Sequence, residues 1–178
     1  MSLQNKQNEL DETKPDRPAT AMLIIGIFIV CQFALYGIIF SYSGGWLLPS
    51  YLLPFVFLGG IGIVYGLFRT VRGSSVTKQY VKATLINMRN GALAGSATAI
   101  VVITIVQVIG IGYFPHWTFF FLAIPGGLFF GISPGGLSGL ILGKIWKNNK
   151  AAFVGGAFAG AITSFCIIYI YNIFYIRS

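Results

Sequence analysis

Apolar and polar positions in this chain do not alternate. They fall into long blocks. Five apolar runs occupy residues 19–42, about 51–68, 91–112, 117–143 and 151–174. Each is near or above the roughly 20 residues a helix needs to cross a hydrocarbon core of about 30 Å. The pattern predicts an all-α integral membrane protein with five transmembrane helices. They form a single membrane domain over residues 19–178. The fourth run is the longest, at 27 residues, so it has to tilt, kink or break.

The stretch before these runs is different. Residues 1–18, MSLQNKQNELDETKPDRP, are polar, mixed in charge and punctuated by proline. They hold too little apolar surface to order themselves, and read as a flexible polar tail.

The links between runs set the expected orientation. The link after the first run, SGGWLLPS, is uncharged, and the link YFPH carries only His116. Arg69, Arg72, Lys78, Lys82 and Arg89 follow the second run, Lys144, Lys147 and Lys150 follow the fourth, and Lys6, Lys14 and Arg17 lie at the start. All these clusters fall on one side. By the positive-inside rule that side is cytoplasmic, with the N-terminus inside and the C-terminus outside. Arg177 alone runs against the assignment. Tyr42, Trp46, Tyr113, Trp117 and Tyr175 mark the outer interface and Trp146 the inner one. Within the long basic link, residues 75–89 admit two readings. One is a helix capped by Ser75 and lying in the headgroup plane. The other is a polar loop.

Glycine is the next signal. Residues 126–143, GGLFFGISPGGLSGLILG, place Gly127, Gly131, Gly135, Gly139 and Gly143 on a period of four. Glycine at that spacing strips side chains from one face and lets a neighbouring backbone approach. Lipid tails are as apolar as leucine, so burial of side chains alone does not hold such helices together. Residues 91–98, GALAGSAT, and 156–163, GAFAGAIT, agree at both glycines, two alanines and the closing threonine. These octets give Gly91, Gly95 and Ala99 on the third run, and Gly156 and Gly160 with Ala152 and Ser164 on the fifth. Gly62 and Gly66 offer a shorter strip on the second run. The expected arrangement is one anchor helix followed by two glycine-zipper hairpins in parallel repeat.

The spacing carries a geometric demand. Each step of four residues turns a helix by 400°, so the strip drifts by about 40° per step. One straight neighbour is not expected to follow all five glycines. Either two neighbours share them, or Ser133 and Pro134 break the helix and reset the phase.

Composition excludes more chemistry than it suggests. The chain of 178 residues is 56% hydrophobic and 9% charged, against about 25% charged in a soluble domain. Its four acids, Glu9, Asp11, Glu12 and Asp16, all precede the first run, and no carboxylate side chain follows. General acid–base work and metal binding lack their usual ligands. No catalytic residue, cofactor site or metal site is expected. The net charge of +8 is concentrated beside the apolar runs, which points to anionic lipid headgroups rather than nucleic acid. Cys31 and Cys166 read as small buried hydrophobes, and His116 as a wetted interfacial contact. Gln32 and Gln107 sit near the middle of their runs, where an amide needs a partner or lines a polar path.

These features favour a non-enzymatic multi-pass subunit. It would be a scaffold, assembly factor or accessory component of a membrane complex, meeting other membrane proteins or its own copies. The alternative is a small transporter or channel subunit for a neutral or anionic solute, lined by Gln32, Gln107 and Ser133.

Overall fold

A computed structural model describes residues 14–42, 53–111 and 117–176. Every regular element among them is an α-helix: α1 (Arg17–Tyr42), α2 (Leu53–Arg72), α3 (Ser75–Ile111), α4 (Trp117–Ile145) and α5 (Asn149–Ile176). Four of the five carry a stretch long and apolar enough to cross a membrane: residues 17–34, 53–72, 75–106 and 126–145. Most of the predicted tail, with Trp46, Tyr113, His116 and Arg177, lies outside the described residues.

The helix starts are written into short polar signals. The Asp16 carboxylate accepts the Ala19 N–H at 3.1 Å and caps α1, so the helix starts at Arg17, ahead of the apolar run. Pro18 is tolerated because the first-turn donors have no intrahelical acceptor. Ser74, rather than Ser75, caps α3 by accepting the Thr77 N–H at 3.3 Å. Asn148 caps α5 through the Lys150 N–H at 2.9 Å. Just before that cap, Lys147 takes a left-handed backbone, φ 49°, as α4 ends.

Residues 75–89 are helical, but they do not form a separate surface helix. They are the first turns of α3, which runs unbroken for 37 residues. No glycine or proline stands between Ser75 and Asn90, so nothing interrupts the backbone ladder where the charged link meets the apolar run.

The chain divides into two compact units, Met1–Leu85 and Ile86–Ser178, with the division inside α3. In the first unit α1 packs along α2. Gly26, Gly59 and Gly66 are buried there. A Cβ on Gly26 would stand 2.5 Å from the Gly59 carbonyl oxygen, and one on Gly66 2.6 Å from the Leu23 Cβ. α1 is thus the close partner of α2. The contact is hard to read in the sequence because Gly26 stands in no four-residue glycine period, and Ala19 and Leu23, each 1% exposed, continue the strip beside it.

One polar cluster ties this unit together. Asp16 pairs with Arg69 at 3.1 Å, and its backbone N–H donates to the Thr77 hydroxyl at 3.2 Å. A single residue thus links the start of α1, the end of α2 and the start of α3. Thr77 and Thr20 are buried beside it, and the Thr20 hydroxyl donates to the Asp16 carbonyl at 2.8 Å.

Candidate functional site

In the second unit the glycine strips of α3, α4 and α5 meet. α4 runs antiparallel to α3. Gly127 faces Ile100, Gly131 faces Gly95 and Ser96, Gly135 faces Gly91 and Gly95, Gly139 faces Gly91 and Asn87, and Gly143 faces Asn87. α5 runs parallel to α3, with Gly156 against Gly91 and Gly160 against Gly95. α4 and α5 also touch, since a Cβ on Gly139 would lie 3.0 Å from the Ala152 carbonyl oxygen. Ala99, Ala152 and Ser164 continue the strips and are buried at 0%, 0% and 1% exposure.

All five glycines of α4 meet α3, so a single neighbour does follow the strip. Gly139 also meets α5, so two neighbours share the strip in part while α3 follows its whole length. A row of residues four apart is itself inclined to the helix axis by about 26°, and a partner inclined with it stays on the row. The phase is not reset at Pro134 either. α4 is one helix through Ser133 and Pro134, with no unwound turn. The two residues after the proline, Gly135 and Gly136, are buried. Proline is tolerated in such helices because packed surroundings satisfy the carbonyl it leaves without a donor.

Several hydroxyls of this unit are turned back onto their own helices. The hydroxyls of Ser96, Thr98, Thr104, Thr163 and Ser164 each donate to the carbonyl four residues back at 2.8 Å. Ser138 reaches across, donating to the Gly155 carbonyl at 2.8 Å, and so staples α4 to α5. Ser133, and Gln32 in the first unit, also have interaction partners. The side chain of Gln107 lies outside the described set. Among the described residues, Asn87 Oδ1 is buried with no hydrogen-bond partner, close against Gly143. Sequence reading passed over Asn87 because it precedes the octet. Its place four residues before Gly91 was the available signal.

Two grooves stand out. An apolar one of about 690 Å³ runs along the outside of α2, past Val56, Phe57, Gly60, Ile61, Val64 and Phe68. Gly60 opens onto it, with nothing within 4 Å of where a Cβ would be. A smaller one of about 460 Å³ in the second unit is lined by Asn90, Asn149, Lys150, Phe153 and Val154. Cys31 and Cys166 are exposed rather than buried. On a helix facing lipid, a small apolar thiol sits on the outside without penalty, so the buried reading does not hold. No group of three or more His, Cys, Asp or Glu placed to hold a metal occurs among the described residues.

Compared with known protein families, curated proteins and solved structures, the chain matches none of them.

Proposed function

We propose that this protein is a non-enzymatic multi-pass membrane subunit, a scaffold or accessory component whose role is to hold a packed set of helices in the bilayer. The observation that carries the reading is the meeting of α3, α4 and α5 backbone to backbone along Gly91, Gly95, Gly131, Gly135, Gly156 and Gly160. Backbone contact along these strips leaves no room for a solute between them, and the hydroxyls beside them are turned back onto their own helices. In this reading all five helices span, α5 included, and the glycine strips act as zippers. The basic clusters lie on the cytoplasmic side against anionic headgroups. Segments two–three and four–five are the two copies of an internal repeat.

The transporter reading needs a polar path through Gln32, Gln107 and Ser133. Gln32 and Ser133 are already partnered, which favours the packed reading. The test is purification in mild detergent with mass spectrometry of what co-elutes, beside reconstitution into liposomes. A stoichiometric membrane partner, or a defined homo-oligomer without solute flux, supports the proposal. A solitary chain that conducts a neutral or anionic solute overturns it.

A further inference from the structure

We infer that the groove lined by Asn90 of α3 and Asn149, Lys150, Phe153 and Val154 of α5 binds the phosphate headgroup of an anionic glycerophospholipid. The inference rests on the membrane reading above. It adds a specific site to a general attraction between basic links and lipid.

The order of chemistry along the groove fits such a ligand. At one end stand two amides and an ammonium. Asn90 Oδ1 accepts from the Arg89 guanidinium at 3.3 Å, which leaves the Asn90 amide N–H groups as donors. Asn149 supplies a second amide and Lys150 the positive charge. No Asp or Glu exists anywhere in residues 86–178, so the unit offers that charge no side-chain carboxylate. Arg89, Lys144 and Lys147 lie at the same end of the helices and add to the positive field there. One turn further along α5 the lining becomes apolar. Phe153 is 52% and Val154 64% exposed, on the outer face of a helix read as a span. Headgroup contacts followed by an acyl-chain wall describe a phospholipid. A free phosphate has no use for Phe153 and Val154. The volume of about 460 Å³ lies in the range of small-ligand sites.

The test uses the full chain in mixed micelles, read by native mass spectrometry, with phosphatidylglycerol, phosphatidylcholine or inorganic phosphate added. Wild type is expected to retain one phosphatidylglycerol in preference to phosphatidylcholine. Lys150→Gln is expected to lower that retention about fivefold, the factor that one lysine near a lipid surface contributes. Lys147→Gln removes the same charge outside the groove, where it adds only to the general field, and is expected to lower retention by clearly less than Lys150→Gln. Equal losses in the two variants, or equal retention of the two lipids, would overturn the site in favour of diffuse attraction. Displacement of the lipid by millimolar inorganic phosphate would overturn the lipid as the ligand. Failure of the membrane reading shows separately, as release of the chain from membranes by alkaline carbonate.

Discussion

Gly95 of α3 and Gly131 of α4 touch through their backbones. A Cβ on Gly95 would stand 2.5 Å from the Gly131 carbonyl oxygen, and one on Gly131 2.6 Å from the carbonyl carbon of Gly95. Neither position has space for a methyl group. Because the obstructing atoms are main chain, a substituted helix has to move as a whole.

That geometry separates two glycines that look alike in the sequence. Gly95→Ala is expected to destabilise by about 1–3 kcal/mol, the range for overpacking a tight interior. Gly60→Ala meets nothing within 4 Å. It is expected to be neutral or to stabilise by up to about 1 kcal/mol through helix propensity. Thermal unfolding of both variants in one detergent checks the contrast. Equal effects at the two positions would mean that the strip packs against nothing.

Asp16 does two jobs that mutation can separate. Its pair with Arg69 is a surface contact, since the Arg69 side chain is 54% exposed, and such pairs contribute about 0–1 kcal/mol. Its cap on α1 contributes about 1 kcal/mol. Asp16→Asn keeps a capping oxygen and loses only the ion pair, whereas Asp16→Ala loses both. The expected order of melting temperature is wild type, then Asp16→Asn level with Arg69→Gln, then Asp16→Ala. High salt should narrow the first gap and leave the second. A salt-insensitive loss in Arg69→Gln would point to packing of its stem instead.

Asn87 carries a buried oxygen without a donor. Leucine has nearly the same shape and no polar atoms. Asn87→Leu is expected to stabilise by about 1 kcal/mol, because an unmade hydrogen bond costs more than an apolar replacement. A loss of stability would show that the amide N–H groups of Asn87 hold a contact that matters more than the stranded oxygen.

Orientation is checked by reporters. One fused after Lys147 is expected to read cytoplasmic and one after Ser178 external. The reason is that the links after α2 and α4 carry the basic residues, while those after α1 and α3 carry none. A cytoplasmic C-terminus would remove the arrangement with five spans.

The helices were legible in the sequence because long apolar runs have few other uses. What stayed hidden depended on partners. Nothing local tells that Gly26 meets Gly59, because the glycines of that run, Gly26 and Gly37, stand eleven positions apart and carry no four-residue period. The continuity of α3 was obscured by reading the polarity of residues 75–89 as a boundary, although polarity ends a membrane span without ending a helix. The unbroken course of α4 past Pro134 was hidden for a related reason. Proline propensity is a local preference, and the buried surroundings of Gly135 and Gly136 override it. The Asn90 groove draws on α3 and α5, whose contributing residues lie far apart in sequence.

The contact of five glycines with one neighbour has a consequence for how this chain can change. Large side chains on the outer faces of α4 and α5 meet no close backbone, and many exchanges there leave the contact intact. Inserting or deleting one residue between Gly127 and Gly143 is another matter. It turns everything beyond it by about 100° and carries the later glycines off Gly91 and Asn87 into lipid. The heritable property of this segment is its count of residues more than their identity. Related chains are expected to drift freely in apolar composition while holding the number of positions between these glycines fixed.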